Sequence, residues 1–434
     1  MNNENKVCIK CDVKLLGNDC LACKKMHGDE IYAIDFYERN TNPAASPESA
    51  RYGIAIDIGT TTVAFELIEI NNGTRIAAYS CANSQRALGS DVLSRISFAT
   101  AGNAERLNTY IIEDIKKGVT ALLLQSGIEK SDISLVAITG NTTMLHLLQN
   151  LPCDTLGVFP FTPVSIETVR KNFLDYDVII LPGASAFIGA DVIAGIFFCE
   201  ISETFLFIDL GTNGEIVLHS HNNYFAASAA AGPAFEGGNI SMGTASIPGA
   251  IVKANFLPEN GVFDYETIGN LPPTGISGTG VIDICAELIR RKLADKTGLL
   301  KSGDHVIIAN HQCPIIFTQK DIREVQLAKS AVRAGIEILI SEAGLSYDKI
   351  QKVFLAGGFG YKMNPESAAA IGLIPTELKN KIIPIGNAAL GGCAKFLQND
   401  CNTKIEKLAR SVKEINLSTH PMLNELFIKY INME

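Results

Sequence analysis

The feature that most constrains the fold of this 434-residue chain is a strand-and-turn pattern that occurs twice. One short apolar run, YGIAIDI from Tyr52, leads into the turn IDIGTT from Ile56. A second run, FLFIDL from Phe205, leads into the turn IDLGTNG from Ile208. A further apolar run follows each turn, so each pattern predicts a hairpin closed by a glycine turn. Two matching halves predict two lobes that face one cleft.

Each half also has a later apolar strand that stops at glycine. These strands are Leu135–Thr139, before Gly140, and Val353–Ala356, before Gly357. Between them, residues 321–343 carry apolar side chains at helical spacing, with a helix start at Thr318 and Asp321 and a stop at Gly344. Short strands that alternate with amphipathic helices predict an α/β fold built on a central sheet.

The residue types in the two turns suit a phosphate ligand with its metal ion. An Asp at a strand end can hold a hydrated divalent cation, and Gly lets the backbone turn so that its N–H groups face an anion. Gly357 and Gly358, at the end of the later strand, allow close approach of a ribose or a flat ring. Ser277-Gly278-Thr279-Gly280 reads as a helix N-terminus suited to an anionic or ribose group. Together these elements predict a Mg²⁺-triphosphate site.

The same residues carry a family resemblance, which runs from Gly53 to about Leu397. The stretches that carry it include IDIGTTTVA from Ile56, ITGNTTMLHLL from Ile138, IGADVIAGI from Ile188, IDLGTNGEI from Ile208, AAGPAFEGGNISMG from Ala230, GISGTGVIDICAEL from Gly275, FLAGGFG from Phe354 and IGNAALGG from Ile385. They resemble the ASKHA domain of the reductive activators of corrinoid-dependent enzymes, in the acetate kinase, actin and chaperone superfamily. The resemblance implies a duplicated ribonuclease-H-like, two-lobed ATPase domain.

The resemblance also implies an activity: ATP hydrolysis that drives the reduction of a corrinoid protein of a methyltransferase system from Co(II) to Co(I). Asp57 and Asp209 would organise Mg²⁺ and the attacking water, and Glu215 would be the catalytic carboxylate, with Glu236 left as the alternative. The implied nucleotide-binding residues are Gly59, Thr60, Thr61, Gly211, Thr212, Asn213, Gly214, Gly278, Gly280, Gly357 and Gly358. Asn83, Asp91 and Arg95 lie in a matching stretch, where a place near the cleft and one at a contact between lobes both remain open.

The N-terminus departs from this family, whose members commonly begin with an iron–sulfur domain. Here four thiols stand in two Cys-x2-Cys pairs, at Cys8, Cys11, Cys20 and Cys23. Four thiolates at this spacing predict a metal knuckle, with zinc favoured and an iron centre as the alternative. With zinc, the electrons must come from a separate donor. The predicted division is a knuckle at 1–28, a linker at 29–50, a first lobe at 51–200, a second lobe at 201–400 and a C-terminal tail at 401–434.

Composition and hydropathy argue against several classes of protein. A net charge of −9 argues against a nucleic-acid partner. The N-terminus lacks the pattern of a signal peptide, and the most apolar stretch, 178–190, is too short to span a membrane. We therefore expect a cytoplasmic protein, and the seven cysteines beyond residue 23 read as buried side chains of a reduced protein.

Three alternatives stay open from the sequence. They are a small-molecule kinase of the same superfamily, an activator of a dehydratase, and a binding module that ATP only switches. A homodimer is an expectation from the resemblance alone.

Overall fold

The computed structural model describes residues 51–199, 201–301, 303–310, 314–357, 363–398 and 402–433. The predicted knuckle at Cys8, Cys11, Cys20 and Cys23, the linker at 29–50 and Gly358 lie outside the described residues. The strands are β1 Tyr52–Ile58, β2 Thr62–Glu69, β3 Thr74–Ala82, β4 Ile133–Gly140, β5 Val169–Phe173, β6 Tyr176–Ile180, β7 Phe205–Leu210, β8 Gly214–Ser220, β9 Asn223–Ala229, β10 Ala250–Leu257, β11 Val262–Thr267, β12 Gly275–Ile276, β13 His305–Ala309, β14 Ile315–Thr318, β15 Lys352–Ala356, β16 Ile382–Gly386 and β17 Val412–Glu414. The α-helices are α1 Val92–Phe98, α2 Ala104–Ser126, α3 Thr142–Gln149, α4 Ala190–Cys199, α5 Gly278–Arg290, α6 Gln319–Glu342, α7 Pro365–Ala370, α8 Ala388–Gln398, α9 Asn402–Ser411 and α10 Leu423–Lys429.

The first six strands form one mixed sheet in the order β3-β2-β1-β4-β6-β5. Its central strand β1 pairs antiparallel with β2 and parallel with β4. Ile54, Ala55 and Ile56 are all fully buried, so β1 is covered on both faces, as its unbroken apolar run requires. The hairpin turn at residues 59–61, the first turn, therefore emerges from a rigid strand.

The second large sheet has the order β16-β15-β7-β8-β9-β17. The first five positions correspond in the two sheets: three consecutive strands in reverse order and then two later strands, β3-β2-β1-β4-β6 and β9-β8-β7-β15-β16. In both, the fourth strand is parallel to the first. The predicted α/β class, with its duplicated strand-and-turn pattern, is thus confirmed for the described residues. Residues 211–213 form the second turn, which occupies the same place after β7 as the first turn does after β1.

Two helices connect the sheets beneath these turns. Helix α4 precedes β7, and helix α8 follows β16 yet packs against β1 of the first sheet. A Cβ at Gly392 of α8 would lie only 1.8 Å from the carbonyl oxygen of Ala194 in α4, so the two backbones touch. The Cys393 thiol donates to the carbonyl of Ile56 in β1. Helix α8 thereby ties the end of the second half to the first sheet.

The predicted boundaries of the long helix are also confirmed. Thr318 caps α6, and its hydroxyl and the carboxylate of Asp321 bond each other's backbone amides in a capping box. Gly344 follows the helix end with φ of 63°, which favours glycine. Within the described part of the chain, no helix combines the length and apolar character that a membrane crossing needs.

Candidate functional site

The first and second turns face each other across one cleft of about 180 Å³. Its lining comes from both halves of the chain. Ten of the residues that the sequence predicted for the site line this cleft: Asp57, Gly59, Thr60, Thr61, Asp209, Gly211, Thr212, Asn213, Glu215 and Gly357.

Three other predicted residues lie apart from it. Gly214 opens β8, where a Cβ would lie 2.8 Å from a methyl carbon of Val332. A Cβ at Gly278 or Gly280 would lie 1.7 Å or 2.4 Å from the carbonyl oxygens of Phe235 and Ile251. The start of α5 is therefore packed against backbone, which explains its glycines without a ligand.

Two asparagines that the sequence did not single out hold the first turn. Asn387 donates from Nδ2 to Oδ2 of Asp57 at 2.8 Å, and Asn141 donates from Nδ2 to Oγ1 of Thr60 at 3.0 Å. Each follows a glycine at the end of a strand, and each accepts a backbone N–H from the first turn of the next helix. The signal available in the sequence was this Gly-Asn pair, present once after β4 and once after β16.

Glu236 connects the two turns. Its Oε2 accepts a hydrogen bond of 2.6 Å from the Thr212 hydroxyl and one of 3.5 Å from the Thr61 hydroxyl. Glu236 lies in the short 3-10 turn Pro233–Glu236 of the second half. One carboxylate thus bridges both halves at the centre of the cleft.

The cleft concentrates negative charge in a poorly solvated space. Burial raises the pKa of Asp57 to about 7, against a hydrogen bond from Asn387 that lowers it. Burial and then the charges of Asp191, Asp57 and Glu236 raise the pKa of Asp209 to about 8. Burial also raises the pKa of Asp191, at the start of α4, to about 6, and the pKa of Glu215 well above its usual value. A bound cation would lower these pKa values again, because an opposite charge nearby favours the ionised form of a carboxyl group.

The arrangement fits a magnesium ion that binds with a phosphate ligand. Among the described residues, no three His, Cys, Asp or Glu side chains converge as a metal cage. Mg²⁺ uses one or two carboxylates, several waters and substrate phosphates instead of an all-protein cage. Asp57 and Asp209, at the ends of facing strands, fit that donor set.

Comparison with known proteins agrees with this geometry. The RACo middle region matches residues 52–204, and the C-terminal domain of RACo, the ASKHA domain, matches residues 203–434. A corrinoid activation enzyme of Eubacterium limosum, RamQ, is 32% identical over 93% of this chain and 75% of its own length. A Methanosarcina barkeri reductase of the Co(II) form of a methylated amine-specific corrinoid protein is 29% identical over 78% of this chain and 68% of its own length.

A solved structure has the same fold. The reductive activator for a corrinoid, iron–sulfur protein superposes with a TM-score of 0.82 at 30% identity, over 90% of this chain and 67% of that one. The two family matches together run from residue 52 to residue 434. The chain therefore belongs to the RACo family of reductive activators, as its motifs predicted.

Proposed function

We propose that this protein is an ATP-dependent reductive activator that returns a corrinoid protein of a methyltransferase system from Co(II) to Co(I). The observation that carries the proposal is the cleft itself, where two Asp-x-Gly-Thr turns face each other in a chain of the RACo family. The names of the relatives supply the class of substrate, a corrinoid protein.

In this proposal the first and second turns hold the phosphates of ATP from opposite sides. The amides of Thr60, Thr61 and Thr212 and the hydroxyl of Thr60 would donate to phosphate oxygens, as glycine-containing turns allow. Asp57 and Asp209 would hold Mg²⁺, which would supply positive charge to offset that of the phosphates. Gly357 lines the same cleft and would lie near the adenosine.

A carboxylate must also orient the attacking water. Glu215 lies directly opposite Asp209 in the β7–β8 ladder and accepts a long hydrogen bond, 3.4 Å, from the Ser228 hydroxyl. Glu236 already accepts from two threonine hydroxyls. We assign Glu215 to the water and Glu236 to the connection between the two turns.

The two reactions balance separately. ATP and water give ADP and phosphate, while one electron from a donor reduces Co(II) to Co(I). Closure of the two lobes on ATP would couple the two reactions, because the free energy of ATP binding would then act on the bound partner protein. The N-terminal cysteine pairs supply either a zinc knuckle, which we favour, or an iron centre. With zinc, the electrons come from a separate electron-donor protein. The division into two lobes and a homodimer are also part of this proposal.

The test is an anaerobic reduction assay on protein whose iron and zinc are first counted. A Co(II) corrinoid protein is mixed with the activator, a low-potential electron donor and Mg·ATP, and Co(I) is followed by its visible absorption. We expect Co(I) with ATP, none with a non-hydrolysable analogue, and about one zinc per chain. ATP turnover that ignores the corrinoid protein and phosphorylates a small molecule would support a kinase instead, and iron would make the chain its own electron carrier.

A further inference from the structure

Arg95 is buried behind the first turn. It lies on α1 and has no solvent-exposed surface. Its guanidinium donates to the carbonyl of Thr60 at 2.6 Å and to the carbonyl of Gly89 at 2.9 Å. It also donates to Oε1 of Gln85 at 3.3 Å and to the Met144 sulfur at 3.0 Å. The arginine therefore fastens the turn to the segment between β3 and α1.

All of these acceptors are uncharged. Of the acidic side chains in the described ranges, none forms an ion pair with Arg95. Asp91, which caps α1, interacts with Arg95 electrostatically, without a hydrogen bond between the two side chains in the described structure. A buried cation without a carboxylate is costly unless another negative group compensates it. Arg95 lies against a turn that lines the cleft, so an anion bound to that turn would be one such group.

The carbonyls of the first turn all point toward Arg95 and Asn83, behind the turn. Thr60 is held by Arg95, while Asn83 donates from Nδ2 to the carbonyl of Gly59 at 2.8 Å and from its amide to that of Thr61 at 2.9 Å. In a trans peptide the C=O and the following N–H point in opposite directions. The amides of Thr60, Thr61 and Thr62 are thereby turned toward the cleft.

These amides are available to a ligand. Across the described residues, nothing accepts a hydrogen bond from the amide of Thr60 or of Thr61, and both residues line the cleft. The Thr60 carbonyl, which Arg95 holds, and the Thr61 amide belong to one peptide unit. A charge-assisted bond to that carbonyl polarises the peptide and strengthens its N–H as a donor to an anion.

The charge balance of the cleft makes this contribution necessary. Among the described residues, its lining includes the carboxyl groups of Asp57, Asp191, Asp209, Glu215 and Glu236 and no lysine or arginine. A triphosphate that enters this lining meets repulsion, which Mg²⁺ and backbone amides must offset. The second turn has no comparable support, since its described backbone bond runs within the turn, from Gly211 to Asn213.

We propose that Arg95 is the positioning residue of the nucleotide site: it fixes the first turn so that its amides face the phosphates, and it transmits its positive charge to them through the Thr60–Thr61 peptide. This inference rests on the proposed function, because it takes a nucleotide phosphate as the ligand. It assigns to Arg95 a selective effect on anions, not a general effect on the fold.

The test compares the affinities of Arg95→Met, Arg95→Lys and the wild-type chain for Mg·ATP, pyrophosphate and adenosine by calorimetry. Arg106→Met is the control, since Arg106 is exposed, lies in the same half and contacts the Phe98 ring. We expect Arg95→Met to weaken Mg·ATP and pyrophosphate ~10–100-fold, the size of one charge-assisted hydrogen bond, and to leave adenosine unchanged. Arg106→Met should bind all three as the wild type does.

Arg95→Lys decides the question if Arg95→Met does not fold. Lysine keeps the charge but cannot hold Thr60 and Gly89 together with a planar fork, so we expect an intermediate loss for the anions alone. Wild-type affinity for Mg·ATP in either variant, or an equal loss for adenosine, would overturn the role of Arg95. A wild-type chain that binds no ATP would instead overturn the proposed function.

Discussion

Asp209 shows how strongly the cleft acts on a single residue. In the unfolded chain an Asp has a pKa near 3.9, whereas burial and neighbouring charges raise the pKa of Asp209 to about 8 in the fold. The folded protein thus keeps a proton that the unfolded chain loses above about pH 4. The stability that this proton contributes is present at low pH and is lost as the pH rises from about 4 to 8.

Asp209→Asn should therefore stabilise the protein without ligand at pH 8, because Asn resembles the protonated acid. We expect a gain of about 1–3 kcal/mol in the free energy of unfolding at pH 8, shrinking toward pH 5. Thermal unfolding at both pH values measures it. Asp132→Asn, at an exposed position outside the cleft, is the control and should show no such pH-dependent difference. A variant less stable than the wild type at pH 8 would contradict the assignment.

The place of the two turns in one cleft was predictable because each turn has a local signature, an Asp at a strand end and a glycine turn. The contact of Asn387 was not, since it bonds Asp57 across 330 positions of sequence and its Gly-Asn pair does not show which residue it meets. Gly278 and Gly280 show the opposite case. A glycine-rich helix start looks the same in sequence whether it faces a phosphate or the carbonyl of Phe235.

At the scale of elements, the end of β15 is held directly against the second turn. Gly357 has φ of 115°, and a Cβ there would lie 2.4 Å from the carbonyl oxygen of Leu210. A side chain at this position would displace the strand end from the turn.

We expect Gly357→Ala to lower stability by roughly 1–3 kcal/mol and to weaken Mg·ATP at least tenfold. The control is Gly127→Ala, at the end of α2, where φ is 71° and no atom lies within 4 Å of a Cβ. That change carries only backbone strain and should leave ATP affinity unaltered. Calorimetric titration of both variants measures the difference. Equal ATP affinities in the two variants would show that the contact of Gly357 with Leu210 is unimportant for the site.

Strand and helix periodicity predicted β1, β4, β7, β15 and the start of α6. It did not predict β17, because three residues carry too little periodicity. Val412–Glu414 pairs in parallel with β9, almost two hundred positions earlier, and Ile415 donates its amide to Ala226. The segment was expected to be a tail, and only its long-range pairing shows that it belongs to the second sheet.

At the scale of the whole molecule, the cleft depends on how the two sheets are joined. Glu236 bridges the first and second turns, and the backbone of α4 touches that of α8 where Ala194 meets Gly392. Nucleotide that binds both turns would therefore be sensed by both sheets at once. In the proposed function, this connection is how ATP would change the surface offered to a partner.

The central claim is that both turns serve one ATP site, and the most direct measurement is ATP hydrolysis by Asp57→Asn, Asp209→Asn and the Asp132→Asn control. Correct folding is verified by thermal unfolding. We expect each cleft variant to lose at least ~100-fold in kcat, because each removes a group that acts in the transition state, while the control retains wild-type activity. If either folded cleft variant hydrolyses ATP at the wild-type rate, the site does not use both turns and the account is wrong.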